Sequence, residues 1–368
     1  MEQSKLTVWQ FFVLTLSFLI GTSFFFLPGG LIAAAKQDAW MVPLWGGAAG
    51  ILISFLWFYL AGQYPGLTIV QICTAAAGKG FGGLLALMYV AYFTQLASFI
   101  TRNLSDFMKQ TLMPLTPLTV FHAMFLLIIA YAVIKGIETI ARSTELLFPI
   151  VTMTFIFVFI FALSEWNWDR FQGMFRMDVW KTVKDTRSIF GFPFMEALIF
   201  LMLFPYVQAR RKTTFILAIT VATILLSATT FFTIGVLGVS RASHDAYPMF
   251  VIVQEIHVGL FFEHLESTVA LILLAAIFIK LSIAYYCAVA GLCQLFQITS
   301  RSWLALAFIL LISGLALGYD NMVENIEFSK KHDFEYSLFF SFIIPVLLLL
   351  ITWMRRRKKE KKEEPCST

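Results

Sequence analysis

Two ionisable side chains stand inside apolar segments of this 368-residue chain, and they are the residues best placed to do chemistry. Glu196 lies in FPFMEALIFLMLFP, and Lys280 lies at the middle of LILLAAIFIKLSIAYY. A charge in an apolar environment is costly, so it is usually functional or paired. Neither residue has a neutralising partner nearby in the sequence. Two alternatives therefore stay open, a pair between Glu196 and Lys280 or a separate functional role for each.

A polar stripe follows one face of the apolar segment at residues 83–109. Tyr92, Gln95, Arg102 and Asp106 follow one another at steps of three, seven and four residues, which places them on one side of a helix. Arg102 and Asp106 can pair near one end of the segment, which favours a structural or gating role. Tyr92 and Gln95 fall near its middle, where they could contact a ligand, although ordinary packing explains Tyr92 equally well.

A second group of charges begins another apolar segment, GIETIARSTELLFP. Glu138, Arg142 and Glu145 stand there at i, i+4 and i+7, the spacing of an ion-pair ladder along a helix. The ladder falls at the expected cytoplasmic end of its segment. We interpret it as a structural or gating element rather than as a ligand contact.

Two apolar segments that must position these groups are interrupted in the same way. VWQFFVLTLSFLIGTSFFFLPGG contains Gly21 and Pro28, and SIFGFPFMEALIFLMLFP contains Gly191 and Pro193. Glycine and proline disturb the hydrogen-bond ladder of a helix. In hydrocarbon, the freed backbone groups are tolerated only where they line a cavity inside the protein. A matched pair of broken helices predicts a small-molecule site between them, as in inverted-repeat transporter folds.

The composition places the chain in a membrane. Hydrophobic residues make up 59% of it and charged residues 13%, whereas soluble domains carry roughly 25% charged residues. The sequence has no P-loop and no GxSxG motif, and His257, Glu263 and His264 lack the HExxH spacing of a helical zinc site. We therefore expect neither an enzyme nor a cofactor or metal, and no nucleic-acid partner.

Length and apolarity predict an all-α protein with ten transmembrane helices. The polar connections are expected at 165–187, 239–264 and 319–336, and the amphipathic stretch 250–267 is a candidate surface helix. No separate soluble domain is predicted. The ten spans are placed near 8–35, 40–62, 83–109, 117–137, 139–164, 187–208, 213–238, 265–296, 303–319 and 337–354.

The distribution of lysine and arginine predicts the orientation. With the N-terminus inside, the inner connections and the tail hold more of these residues than the outer connections, so both termini are expected to be cytoplasmic. The tail at 355–368 begins RRRKKEKKEE. It suits an anchor against anionic lipid, and a docking site for a partner is the alternative.

Four stretches together resemble the spore germination receptor B subunits, the GerAB family. They are GTSFFFLPGG, GIETIARSTELLFPI, FPFMEALIFLMLFP and FIKLSIAYYCAVAGLCQLF. The resemblance covers nearly the whole chain and implies membership of the amino acid–polyamine–organocation superfamily. It implies a LeuT-type core of two inverted five-helix repeats, about 8–164 and 187–354, in a single transmembrane domain 1–354 with helices 1 and 6 discontinuous. It also implies a place in the inner membrane of bacterial spores, beside an A subunit and a lipoprotein C subunit.

The same resemblance implies a function and a binding site. Such proteins sense nutrients, mostly amino acids, and trigger germination; a proton-coupled amino acid transporter is the alternative. Backbone N–H groups at the first break would face the ligand carboxylate, carbonyls at the second break would face its ammonium, and two tyrosines would line the side-chain pocket. These groups are Gly21, Thr22 and Ser23, then Phe190, Gly191 and Phe192 beside Glu196, and finally Tyr92 and Tyr285.

In sodium-coupled relatives of this fold, an ion lies between the first and eighth spans. Here the middle of the eighth span carries Lys280, whose ammonium could take the place of that ion against the carbonyls around Ser17 to Gly21. The alternative is a static pair with Glu196. In both cases we expect ligand binding to need no sodium.

Overall fold

The computed structural model describes residues 5–255, 265–319 and 321–363, and these fold into helices joined by short turns. Within those residues the only β-type pairing is a single bridge between Leu6 and Val207. The α-helices are α1 (Val8–Ile20), α2 (Ser23–Ala35), α3 (Val42–Gln63), α4 (Ile69–Ala77), α5 (Phe81–Thr111), α6 (Leu118–Lys135), α7 (Ile137–Ala162), α8 (Val179–Asp185), α9 (Arg211–Ala242), α10 (Pro248–Glu255), α11 (Leu265–Phe296), α12 (Ser302–Ala316), α13 (Met322–Leu338) and α14 (Ile344–Glu363).

The first predicted break is present between α1 and α2. Thr7 and Gln10 form a reciprocal capping box at the start of α1, and the helix ends at Gly21, whose backbone angles are not helical. After Thr22 the chain starts a new helix, α2, which contains Pro28. The apolar run therefore forms two short helices instead of one long one.

The second predicted break is more extensive. A π-helical turn, Phe190–Met195, contains Phe192 in an extended conformation, and a 3₁₀ helix, Glu196–Met202, follows it. Proline at position 193 has no N–H to donate, so the regular ladder cannot pass through this turn. Glu196 consequently begins a new helical segment directly beyond the break.

Seven helical stretches of the described chain are long and apolar enough to cross a membrane, which indicates an integral membrane protein. The predicted number of ten spans is not established, because three further apolar helices are too short by the same measure. Two of the three are short because the breaks interrupt them. The three are Val8–Ile20, Phe190–Met202 and Ser302–Ala316.

Small residues let the helices approach around the second break. Gly46 and Gly50 of α3 face the side chain of Phe194, and an added Cβ at either glycine would come within about 3.0 Å of that side chain. Close backbone approach through glycine is the usual packing mode of membrane helices. Rings of α1 cover the other side, with Phe18 and Phe11 at 5.4 and 5.8 Å from Phe200.

One predicted polar connection is wrong, and two others contain short helices. The segment 319–336 is helical from Met322 onwards, since α13 begins there under a cap in which the Asn321 side chain accepts from the Glu324 N–H. The connection at 165–187 includes α8. The candidate surface helix at 250–267 coincides in part with α10, and its residues 256–264 lie outside the described chain.

Candidate functional site: a buried ion pair beside a cavity

Glu196 and Lys280 form an ion pair in the interior of the helical bundle. The Lys280 Nζ atom is 2.7 Å from Glu196 Oε2, and the lysine side chain is completely buried. Lys280 also donates to the hydroxyl oxygen of Thr22 at 3.3 Å, and its ammonium lies 4.3 Å from the ring centre of Phe192. A buried ammonium is stable only with such compensation, here a carboxylate, a hydroxyl and an aromatic face.

The break in the first span makes room for this lysine. A Cβ atom at Gly21 would lie 3.4 Å from the Cβ of Lys280 and 3.0 Å from the Ser17 carbonyl oxygen. The middle of α11 can therefore lie directly against the turn between α1 and α2. Lys280 thus contacts both breaks, the first through Thr22 and the second through Phe192 and Glu196.

A cavity of about 710 Å³ lies next to Glu196, between α5 and α13. Tyr92, Gln95 and Phe99 of α5 form one wall, and the opposite wall comes from α13 and the turn that follows it. The Tyr92 side chain is 3% exposed, and its hydroxyl lies close to the Ser337 side chain but makes no hydrogen bond of good geometry among the described residues. An unpaired buried hydroxyl is unfavourable, so this group is suited to bonding with a ligand or water in the cavity.

Three aromatic rings form a continuous wall of the cavity. Tyr92 stacks on Phe340 at 4.5 Å between centroids, and Tyr336 contacts both rings, at 5.4 and 5.1 Å. Phe340 lies in a π-helical turn, Phe339–Ile343, whose carbonyls are bonded from outside. Tyr89 donates to the carbonyl of Phe340 at 2.8 Å, and Trp57 donates to that of Ser341 at 2.7 Å.

A second cavity, of about 560 Å³, lies on the other side of the second break. Phe192 and the C-terminal half of α2 line it, together with the turn at 243–246. Phe99 and Asp333 line both cavities, so these two side chains stand between them. Together the two cavities flank the region of Glu196 and Phe192.

The predicted backbone contacts at the first break are not arranged as expected. The N–H of Gly21 donates to the Ser17 carbonyl at 2.8 Å, so it is not free to hold a carboxylate. The side-chain hydroxyl of Thr22 accepts a hydrogen bond from Lys280. The buried Ser23 hydroxyl has no partner in the described chain. None of these three residues lines either cavity.

At the second break, α13 covers much of the backbone that was predicted to face a ligand. A Cβ atom at Gly191 would be 2.8 Å from the carbonyl oxygen of Asp333, and the Phe190 ring packs against Phe334 at 6.2 Å. Of the predicted residues here, Phe192 lines the second cavity and Glu196 lines the first.

Tyr285, the second predicted wall tyrosine, lies elsewhere. Its hydroxyl donates to the carbonyl of Ala305, and its ring stacks with Phe308 at 6.3 Å. It therefore joins α11 to α12 and does not reach either cavity. The sequence placed it correctly on α11 but gave no information about which neighbour that face would meet.

The pair predicted in the polar stripe on α5 is present. Arg102 and Asp106 pair at 2.9 Å, and both side chains are buried. Arg102 also donates to the carbonyl of Ala316 at 3.2 Å, which satisfies the C-terminal end of α12. Gln95 lines the first cavity and donates to the hydroxyl of Tyr319 at 3.2 Å.

The predicted ladder of Glu138, Arg142 and Glu145 does not form. In the described structure, Arg142 makes no ion pair with either carboxylate. Instead, the Glu138 carboxylate accepts from the Lys5 N–H at 3.3 Å, and that of Glu145 accepts from the Gln10 side chain at 3.2 Å. The start of α1 packs beside α7, so Glu138 and Glu145 bond to residues at that end of the chain instead of to Arg142. These two acids thereby connect the two helices.

Sequence reasoning missed the α13 side of the cavity. His332, Asp333, Glu335 and Tyr336 all line it, and all were assigned to a polar connection. A signal was present, because Asn321 followed three residues later by Glu324 is the pattern of a helix N-terminus.

These features define a class of protein: a polytopic helical membrane protein with two broken segments, a buried ion pair and a cavity of small-molecule size beside it. The family model described as "Spore germination protein" matches residues 5–321. The chain belongs to that family, which confirms the resemblance drawn from its motifs.

Named relatives agree with this assignment. Spore germination protein KB of Bacillus subtilis (strain 168) is 26% identical over 311 residues, which is 83% of this chain and 82% of the relative. YndE of the same organism is 25% identical, covering 80% and 82% of the two chains, and spore germination protein B2 is 24% identical, covering 84% and 85%.

Proposed function

We propose that this chain is a nutrient-sensing subunit of a spore germination receptor, and that an amino acid binds in the cavity beside Glu196. The proposal keeps ten spans in a LeuT-type core, with inverted repeats at about 8–164 and 187–354. It places the protein in the spore inner membrane, with both termini and the tail at 355–368 in the cytoplasm, where it signals to A and C subunits of the receptor.

A continuous set of contacts from the cavity to the first break carries the proposal. Glu196 lines the cavity and pairs with Lys280, and Lys280 in turn donates to Thr22 between α1 and α2. A ligand shifts a conformational equilibrium only when its contacts differ between the two states. Occupation of the cavity changes the surroundings of Glu196, and the pair with Lys280 transmits that change to the junction of two helices.

The cavity also has the chemistry of a small-molecule site. Such sites are mostly apolar with a few well-placed polar groups, and they occupy roughly 300–1,000 Å³. Here the apolar wall includes Phe99 and Phe340, and the polar groups include Tyr92, Gln95 and Glu196. The backbone groups at residues 21–23 and 190–192 belong to the proposal as contacts that a ligand reaches only when the turns at the two breaks rearrange.

Complementation of spores tests the proposal. Spores that lack their own copy receive the wild type, Tyr92→Phe or Tyr59→Phe, and the germination response to each amino acid is measured. Tyr92→Phe removes only the unpaired hydroxyl, so the effective concentration should rise roughly tenfold, the effect of about one hydrogen bond. Tyr59→Phe is the matched control, because Tyr59 is 62% exposed on α3. The proposal is wrong if Tyr92→Phe spores respond like the wild type at equal protein level.

A proton-coupled amino acid transporter is the second candidate. The observation in its favour is the pair Glu196–Lys280, since two titratable groups buried inside a membrane protein are typical of proton relays. The assay is uptake of labelled amino acid into proteoliposomes with and without a proton gradient. Accumulation driven by the gradient would support the transporter, whereas binding without accumulation would support the sensor.

A further inference from the structure

We infer that the cavity beside Glu196 selects its ligand by a cationic ammonium group attached to an apolar body. The inference rests on the proposed function, because it names the chemical class that the proposed site takes. It differs from the arrangement expected from the sequence, in which backbone groups of the two breaks held both charged ends of an amino acid.

The first ground is the buried carboxylate of Glu196 in the lining of the cavity. Glu196 lines the cavity, while its partner Lys280 is fully buried and approaches from the side of the first break. A ligand that enters therefore meets the carboxylate and not the ammonium behind it. Carboxylates attract ammonium groups most strongly where water is excluded.

The second ground is the wall of aromatic rings. Tyr92, Tyr336 and Phe340 contact one another within 4.5–5.4 Å between centroids and line the cavity together. The negatively charged faces of such rings attract organic cations, and clusters of rings recognise substituted ammonium groups. The same rings offer apolar surface for the body of the ligand.

The third ground is the unpartnered hydroxyl of Tyr92. It is buried on a side chain that lines the cavity, and a phenol oxygen can accept a hydrogen bond from an ammonium. The further ionisable groups at the cavity include His332 and the carboxylates of Asp333 and Glu335 on α13, and the Glu335 carboxylate pairs with Arg187 at 3.0 Å. Among the residues whose side chains the structure describes, no lysine or arginine lines this space.

Binding of two matched series of compounds tests the inference. The probes are primary alkylamines from ethylamine to hexylamine and the carboxylic acids of the same chain lengths, titrated at neutral pH into the purified full-length protein in lipid nanodiscs. We expect at least one amine to bind roughly tenfold or more tightly than the acid of equal length. Equal binding of acids and amines, or no binding by any amine, would overturn the inference.

Two variants locate the selecting charge. Glu196→Gln keeps the shape of the side chain and should weaken amine binding by roughly tenfold or more. Asp169→Asn is the control, because it removes an exposed carboxylate that lines neither cavity. If Glu196→Gln fails to fold, Lys280→Met gives the complementary measurement. It leaves Glu196 without its counter-charge, so the amine should bind more tightly and raise thermal stability more than in the wild type. Unchanged amine affinity in the folded variant would contradict the inference.

The amine-binding experiment and the germination assay can fail independently of each other. If amines bind selectively but Tyr92→Phe spores germinate normally, the sensing proposal fails while the ligand class holds. If germination depends on Tyr92 but acids bind as well as amines, the ligand class fails while sensing holds.

Discussion

At the residue scale, the stability of the bundle interior depends on the mutual compensation of Glu196 and Lys280. Moving either charge out of water is costly, and the charged partner at 2.7 Å offsets much of that cost. Removing one partner leaves the other uncompensated, whereas removing both leaves two neutral groups of similar shape. Single and double variants should therefore behave very differently.

We expect Glu196→Gln and Lys280→Met each to lower stability by about 3–5 kcal/mol, and the double variant to recover much of that loss. The measurement is the midpoint of thermal unfolding in nanodiscs for the four proteins. Additive losses in the double variant would show that the two residues act separately and that the pair does not stabilise the bundle.

The glycines of the two breaks have measurable steric roles. Gly191→Ala places a Cβ 2.8 Å from the Asp333 carbonyl oxygen, so α13 must shift, and a loss of about 1–3 kcal/mol is expected. Gly21→Leu should displace Lys280 and abolish the ligand response while the protein still inserts. Gly62→Ala is the control, since nothing lies within 4 Å of its added Cβ. Normal ligand binding by both break variants would place the site elsewhere.

At the element scale, the broken helices were predictable, and the packing of α13 over the second break was not. Gly21 and Gly191 interrupt apolar runs, which is a local signal that the sequence displays directly. The long-range packing of α13 over Gly191 leaves no such trace, and its polar composition suggested a connection. The failure of the ladder at Glu138 has the same origin, because Lys5 and Gln10 reach that helix only through tertiary packing.

A buried carboxylate fixes the connection between α7 and α8. Asp38 is 3% exposed, and its two oxygens accept from the backbone N–H groups of Phe175, Arg176 and Met177 at 2.7–3.2 Å. Such charge-assisted bonds are stronger than neutral ones. The connection is thereby held against the end of α2 without regular structure of its own at these residues.

We expect Asp38→Ala to release that segment while the bundle stays folded. Hydrogen exchange of the amides of residues 175–177 should accelerate by roughly tenfold or more, since local opening no longer breaks these bonds. Asp169→Ala, which removes an exposed carboxylate in the same connection, is the control. Unchanged exchange in Asp38→Ala would mean that other contacts fix the segment.

At the scale of the whole molecule, the sequence predicted a membrane protein of the right family and the two groups that meet at its centre. It could not predict that the cavity lies beside Glu196 instead of between the backbones of residues 21–23 and 190–192. Cavity position depends on how α5, α11 and α13 pack, and each of those contacts joins residues far apart in the chain. Tyr92 was named as a candidate ligand contact because it shares a helix face with Gln95. Tyr336 was not named, because the segment that forms α13 was predicted to be a polar connection.

The position of Lys280 leads to a prediction about ions. The lysine supplies a fixed positive charge beside the first break, so ligand binding should be the same in sodium and in sodium-free potassium or choline buffer. Binding is measured for the wild type and for Lys280→Ala under each condition. Wild-type binding that collapses without sodium would contradict this expectation.

The hydrogen bond from Trp57 to the carbonyl of Ser341 provides an intrinsic fluorescence signal for movement beside the first cavity. Among the described residues that line the two cavities there is no tryptophan, so a colourless ligand would not quench indole emission by direct contact. Trp57, however, is fully buried and bonded to the turn that carries Phe340. A fluorescence change on ligand addition that disappears in Trp57→Phe would therefore report displacement of that turn, and its rate in a stopped-flow instrument would time the conformational response without any added dye.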